Sequence, residues 1–348
     1  MRFLIVSDAW HPQVNGVVRT IEATALALER LGHVARVIGP DVSRRTTFSA
    51  PSYPSIKLEF FARARLRREM DAFRPDAVHL ATEGPLGWSA RALCLAQGRS
   101  FTTAYHTRFP EYLAARAPRS AACSVLGATY AALRLFHAPA HAVMVATQSI
   151  ARDLSTRKFK RIAQWSRGVD TAVFRPYQGQ VAAYEGLRRP VLLCVGRVAV
   201  EKNLRAFLSL NTVGSKVVIG DGPDLAMLRK DYPDAHFLGA MEGEALGRHY
   251  AAADVFVFPS LTDTFGLVLL EACAAGLRVA CLPAPGPVDL FSAPETAAFA
   301  ALDHDLGRAV ARALALPENA AGARKFAEGY SWEACTRQFL EAHQIASI

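Results

Sequence analysis

The stretch from Asp254 to Ala280, DVFVFPSLTDTFGLVLLEACAAGLRVA, limits what this chain can fold into more than any other. Val255–Phe258 is β-branched and aromatic throughout, the pattern of a parallel strand buried on both faces. Pro259 and Ser260 stop it, and Leu261–Thr264 reads as a polar loop. Phe265–Ala275 then has helical periodicity, with Leu267, Leu270 and Ala274 on one stripe. Gly276 is placed to end the helix, and Val279–Cys281 begins another strand. In such a strand–helix–strand unit the loop lies at the carboxyl end of the strand, where α/β sheets bind ligands. The amides of Phe265, Gly266 and Leu267 then face an anion at the helix start, with Thr264 beside them. Asp263 stands at the mouth of this loop, and Glu271 two turns further in. Glu271 is a carboxylate among Leu269, Leu270, Ala272 and Cys273, so it needs a partner. The adjacent hydroxyls of a ribose would supply one.

The chain has 348 residues, enough for two α/β domains, and 51% hydrophobic residues allow a sizeable core. It contains no apolar run of about 18 residues, so no membrane-spanning helix is expected. The N-terminal MRFLIVSDAW enters a strand directly, and its apolar run is too short for a signal peptide. The six cysteines form no CxxC pair and read as reduced core residues of a cytoplasmic protein. Charge is uneven: residues 1–180 hold 25 Lys and Arg against 12 Asp and Glu, whereas the remainder holds 15 against 19. The first half is therefore expected to meet an anion: a phosphate, a nucleic acid or an acidic membrane surface.

Phe3–Ser7, the loop after it, the helix Val17–Leu31 and the strand Val34–Ile38 form a Rossmann-like opening. The loop HPQVNGVVRT has no GxGxxG, which disfavours a dinucleotide-binding dehydrogenase. Asn15 and Gly16 would let backbone amides approach a phosphate. Residues 40–56 read as a long loop. Lys57–Phe73 reads as one helix, with Leu58, Ala62, Leu66, Met70 and Phe73 on one face and Arg63, Arg67 and Arg68 away from it. Strands at Asp76–Leu80 and Phe101–Tyr105 lead into ATEGPLG and HTRFPEY. Val191–Val195 opens the second half and exits into GRVAVEKN. Lys216–Ile219 exits into GDGP, whose Gly220 and Gly222 make a turn at a strand's carboxyl end. CLPAPGPVDLF reads as a rim loop.

The segment TDTFGLVLLEA resembles the E-x7-E region of retaining glycosyltransferase family 4, except that the first acid is Asp263 rather than Glu. Five further segments are similar to the family's motifs in their order: the PQ-x-x-G-V-x-R-T start, HLATEGPLG, YHTRFPEY, SRGVDTAVFRP and GRVAVEKN. The likeness is to a subgroup of mannosyltransferases and of sulfoquinovosyl- or glucuronosyl-lipid transferases. It implies the GT-B fold, two Rossmann-like α/β domains facing across a cleft. It also implies boundaries at 1–175 and 190–330, with a helix at 331–348 crossing back to the first domain. The implied activity is metal-independent, retaining transfer of a hexose of the mannose or glucose type. The donor would be a GDP- or UDP-linked sugar with no other cofactor, and the acceptor a lipid or glycan.

Roles follow residue by residue. His106 would face the transferred sugar and Gly16 lie over the donor phosphates. Arg197 and Lys202 would hold the diphosphate, with Glu201 holding Lys202. Asp263 would take sugar hydroxyls and Glu271 the ribose. Glu83 is a candidate acceptor-side carboxylate. Gly220, Gly222, Thr264, Phe265, Gly266 and Leu267 would line the donor site. The basic Lys57–Phe73 helix suggests peripheral contact with an anionic membrane, at the inner face of the plasma membrane. A GT-B-like nucleotide-sugar epimerase is the alternative, and a nucleic-acid-binding protein a weaker one, since no aromatics interleave the basic residues.

Overall fold

The computed structural model describes residues 1–344 apart from Val14, Pro51, Ser52, Gln178, Gln180 and Glu318. Those positions, which include one residue of the HPQVNGVVRT loop and two of segment 40–56, lie outside the described residues. The chain divides into two compact units, residues 1–166 with 332–348, and residues 167–331. The boundary thus falls at Ser166 rather than at 175, and the segment 167–189 belongs to the second unit.

The first unit holds, in order, β1 (Arg2–Val6), α1 (Gly16–Arg30), β2 (Val34–Ile38), β3 (Thr47–Ala50), β4 (Tyr53–Glu59), α2 (Arg63–Phe73), β5 (Ala77–Leu80), α3 (Pro85–Ala96), β6 (Thr102–Tyr105), α4 (Phe109–Arg116), α5 (Ala122–His137), β7 (Val143–Val145), α6 (Gln148–Thr156) and β8 (Ile162–Gln164). Its parallel sheet runs β2-β1-β5-β6-β7-β8. Residues of β1 alternate between the two faces, as a strand must. Leu4 and Val6 pack with Leu66, Met70 and Phe73 of α2 and with Leu86 and Ala90 of α3. Phe3 and Ile5 pack with Ile21 and Leu28 of α1 on the other side.

The second unit holds β9 (Val191–Val195), α7 (Leu204–Leu208), β10 (Ser215–Ile219), α8 (Leu225–Asp231), β11 (His236–Phe237), α9 (Gly243–Ala252), β12 (Val255–Phe258), α10 (Leu267–Ala274), β13 (Arg278–Cys281), α11 (Pro285–Leu290), β14 (Ala300–Leu302), α12 (Leu306–Ala315) and α13 (Ala320–Glu328). Its sheet order, β11-β10-β9-β12-β13-β14, reverses between β9 and β12, the Rossmann switch point. The last helix, α14 (Trp332–Gln344), belongs to the first unit. Its Phe339 ring meets Trp165 at 5.1 Å and His79 at 5.0 Å.

Several local expectations change. Residues 40–56 are not one loop: β3 and β4 form an antiparallel hairpin with Thr47 opposite Glu59 and Phe48 opposite Leu58. The helix expected from Lys57 starts at Arg63. A buried ion pair explains the difference. Glu59, fully buried, ends β4 and accepts from Arg65 Nε at 3.1 Å and from the Asp41 amide at 2.9 Å, with Arg44 beside it. A buried charge survives only when paired in this way, and pairing it to α2 separates strand from helix. The apolar stripe of α2 lies in the core, so it is not the membrane-facing stripe expected from its periodicity. CLPAPGPVDLF carries the short helix α11, entered through Pro285. Five cysteines are buried, but Cys123 is exposed. Among the described residues no helix is long and apolar enough to cross a membrane.

Leu66→Ala should lower unfolding free energy by about 2–5 kcal/mol, because it empties a core position. Arg67→Gln on the exposed face should change it by under about 0.5 kcal/mol. Urea denaturation checks both, and a Leu66→Ala protein as stable as its parent would contradict the core placement of α2.

Candidate active site

In the second unit the loops that leave β9 and β12 meet at the switch point. The β9 loop runs from Gly196 through Arg197 to a 3-10 turn at Val200–Lys202. It is held by backbone packing against the next loop. A Cβ on Gly220 would stand 1.8 Å from the Gly196 carbonyl oxygen, and one on Gly222 would stand 2.3 Å from that of Val198. No side chain fits either place, so GDGP is glycine-rich because two backbones touch. Amides of Gly196 and Val198 donate to Ile219 and Asp221 carbonyls at 3.0 and 2.9 Å, which fixes the register.

Lys202 Nζ lies 2.6 and 2.8 Å from the two oxygens of Asp263, a two-point ion pair between the β9 and β12 loops. Both side chains are about three-quarters buried. The carboxylate that holds Lys202 is therefore that of Asp263, where Glu201 was expected. Glu201 instead contributes its carbonyl, which accepts from Thr262 Oγ1 at 3.3 Å and Ser260 Oγ at 3.4 Å. Asn203, left-handed at the end of the turn, donates its amide to the Pro259 carbonyl at 3.0 Å.

The β12 loop ends at Gly266, whose φ of +88° is a left-handed conformation that favours glycine. It turns the chain into α10, which begins at Leu267, two residues later than its periodicity suggests. The first amides of a helix lack intrahelical acceptors and carry its positive end. Thr264 is half-buried beside them, and Phe265 is buried, with its ring against Tyr330. Arg197 is half-buried on the β9 loop.

Glu271 is 6% exposed in an otherwise apolar helix. Its Oε2 accepts a hydrogen bond of 2.8 Å from the Tyr250 hydroxyl. Tyr250, on α9, is fully buried against Phe174 and Phe256. Sequence reasoning missed this partner because it lies on a different helix, with no spacing to announce it.

In the first unit the corresponding switch point lies between β1 and β5. Asp8, just beyond β1, is buried and was not singled out in the sequence. Its carboxylate accepts from the Leu86 and Gly87 amides of α3 at 2.8 and 3.1 Å and from Thr82 Oγ1 at 3.0 Å. Burial outweighs these bonds and pushes its pKa up to about 6. Gln13 donates to the Asp8 carbonyl, and Asn15 donates to Gln13. Asn15 Oδ1 in turn caps the Val17 and Val18 amides at 2.9 and 3.1 Å. Two of the α1 amides expected to be open to a phosphate thus have an internal acceptor. Gly16 itself is exposed at the helix start.

Glu83 is not on the surface as an acceptor-side group would be. Its side chain is buried 3.2 Å from His137 Nε2, and His137 Nδ1 lies 2.8 Å from Thr103 Oγ1. The triad ties α5 to β6. His106, at the exit of β6, is half-buried with its ring edge-on to Trp165 at 5.6 Å. On α14, His343 Nε2 lies 2.9 Å from Thr102 Oγ1 and Nδ1 2.8 Å from the Phe339 carbonyl. Burial pushes its pKa down to about 4.

Two family models match this chain: Glycosyltransferase Family 4 over residues 14–173, and Glycosyl transferases group 1 over residues 189–316. The chain is 31% identical to a GDP-mannose-dependent alpha-mannosyltransferase of Mycobacterium tuberculosis, across 98% of this chain and 95% of that protein. It belongs to glycosyltransferase family 4. This family 4 chain is also 29% identical to a sulfoquinovosyl transferase of Arabidopsis thaliana, across 90% of its own length and 64% of the plant protein. A sucrose-phosphate synthase from Thermosynechococcus elongatus shares its fold, with a TM-score of 0.74 at 17% identity over 99% of this chain and 98% of that one. The fold is therefore GT-B, and the enzyme is a glycosyltransferase.

Asp8 and His343 predict opposed pH dependences in the first unit. The raised Asp8 pKa adds stability that is present below its ordinary 3.8 and lost as pH rises through about 6. The lowered His343 pKa adds stability that is present above its ordinary 6.5 and lost as pH falls through about 4. Relative to the parent, Asp8→Asn should gain stability as pH rises from 4 to 6.5, and His343→Gln as pH falls over the same range. Each relative change should reach about 3 kcal/mol at most. Urea titrations at several pH values check this, and variant profiles parallel to the parent's would contradict it.

Proposed function

We propose that the enzyme transfers a hexose from a GDP- or UDP-linked donor to a lipid or glycan acceptor with retention of anomeric configuration and without a metal ion. The Lys202–Asp263 pair at the switch point is the observation that carries this reading. Two cationic side chains, Arg197 and Lys202, share one strand-exit region with the positive end of α10. A departing nucleoside diphosphate develops negative charge there, and preorganised cations stabilise it as a metal would elsewhere. Glu271 would accept from the ribose hydroxyls, sharing its carboxylate with Tyr250. Asp263 would accept from a sugar hydroxyl as Lys202 turns to the diphosphate. His106 would face the transferred sugar. The mechanism is front-face departure and attack on one side of the sugar, with no covalent nucleophile. The GDP-mannose-dependent relative of Mycobacterium tuberculosis favours mannose, and a further relative, an alpha-monoglucosyldiacylglycerol synthase of Streptococcus pneumoniae 26% identical over 90% of this chain, favours a lipid acceptor.

The first test is a donor screen by ligand-induced thermal stabilisation with GDP-mannose, UDP-glucose and UDP-glucuronic acid, followed by turnover with acceptor. One donor should stabilise the chain and be consumed only when acceptor is present. Epimer formation from donor alone would overturn the transferase mechanism. Lys202→Ala and Arg197→Ala should each lower kcat by about 100-fold or more, the size of losing one preorganised donor to developing charge. Normal turnover in both would remove the diphosphate assignment.

Glu271→Gln should weaken free nucleoside diphosphate binding by about tenfold. Asp263→Asn should leave that binding intact or tighter, because it removes a competitor for Lys202, while lowering turnover. Calorimetric titration and steady-state rates separate the two, and the reverse pattern would mean the acids are exchanged.

A further inference from the structure

The basic face that suggests a membrane partner lies next to an apolar surface that the α2 stripe does not provide. Phe61, between β4 and α2, is 83% exposed, and Phe48 of β3 is 58% exposed. Phe60 is 39% exposed, and its ring lies 6.2 Å from that of Phe48. Phe48 pairs with Leu58 across the hairpin, so Phe60, two positions on, shares its face. Phe61 has a φ of +57°, unusual for a bulky residue, and this turns it outward instead of into the hairpin. Val42, in the loop before β3, adds another exposed apolar side chain.

Charge around this patch is mainly positive. Arg45, Arg63, Arg67 and Arg68 are exposed, and no ion pair engages them among the described residues. Most nearby carboxylates have partners. Glu59 is buried with Arg65 and Arg44, Glu69 faces Arg36 at 3.3 Å, and Asp41 accepts from the Ser43 amide and hydroxyl. Asp71 alone of the acids on α2 is exposed without a partner among the described residues, a turn beyond Arg67 and Arg68. Exposed aromatic rings bordered by arginines match an interfacial lipid surface, with rings among the acyl carbons and guanidinium groups at anionic headgroups.

We infer that Phe48, Phe60 and Phe61, with Arg45, Arg63 and Arg67, form the surface by which this enzyme docks on an anionic bilayer. The inference rests on the lipid-acceptor reading above, but its test does not use activity. The full chain is floated with vesicles of phosphatidylglycerol or phosphatidylcholine at low and high salt. Phosphatidylglycerol should bind it at low salt, and high salt should reduce the bound fraction at least tenfold as screening removes the arginine contribution. The paired Phe48→Ser and Phe61→Ser substitutions should lower partitioning about tenfold or more even at low salt. Arg45→Gln, Arg63→Gln and Arg67→Gln together should abolish the salt-dependent part. Phe61→Trp should keep binding and show a blue-shifted emission on phosphatidylglycerol vesicles. Thermal unfolding and donor-induced stabilisation, measured on the same samples, should match the parent in every variant. Failure to float with phosphatidylglycerol at low salt overturns the inference, as does a tryptophan emission unchanged by vesicles. Self-association that the Phe variants abolish, without vesicle binding, would assign the patch to a second copy and also overturn it. Loss of donor stabilisation in the parent would instead count against the proposed function.

Discussion

The ion pair between Lys202 and Asp263 joins two loops that are 61 residues apart, and the candidate donor site depends on it. Each loop alone is an ordinary strand exit. Joined, they bring a cation, a carboxylate and a helix start to the point where the sheet order reverses. The pair is partly exposed, so its contribution to stability is modest, and its value lies in position. Behind it the β9 loop has little freedom, because Gly220 and Gly222 let the β10 exit press against its carbonyls. A site built on packed backbone holds its side chains closer to working geometry than one on a free loop.

The first unit uses the same fold differently. Its polar residues near the strand ends mostly face one another. Asp8 is spent on the α3 amides, Asn15 on the α1 amides, and Glu83 on His137. Such buried networks are costly unless complete, and these fix the relative places of β1, α1, α3 and α5. His106 stands half-buried at the β6 exit, and Arg63, Arg67 and Arg68 of α2 face outward. The unit therefore presents charge and shape more than a set of free carboxylates.

Much of this was legible in the sequence, and for a physical reason. Parallel strands buried on both faces are apolar runs, and the loops at their carboxyl ends carry the chemistry, so Asp263 and Glu271 stand out by themselves, whereas Arg197 and Lys202 stand out through the family resemblance. What escaped was long-range pairing. Nothing near Lys202 distinguishes Glu201, its neighbour, from Asp263, which holds it. Nothing near Glu271 points to Tyr250. The apparent helix from Lys57 kept its periodicity through β4 only because Leu58 and Ala62 happen to share a helical face. Glu59, buried and paired with Arg65, decides the boundary instead. Glu83 resembled an acceptor group because it follows a strand, yet His137 lies close enough to draw it inward.

The central claim is that Lys202 and Asp263 are coupled in the transfer, Lys202 on the departing diphosphate and Asp263 on the transferred sugar. A double-mutant cycle tests it most directly: kcat/KM for the parent, Lys202→Ala, Asp263→Asn and the double variant, with the donor that the screen selects. If the two residues act together, the double variant should lose little more than the worse single variant, with a coupling energy above about 1 kcal/mol. Losses that simply add would show two independent residues and contradict the account.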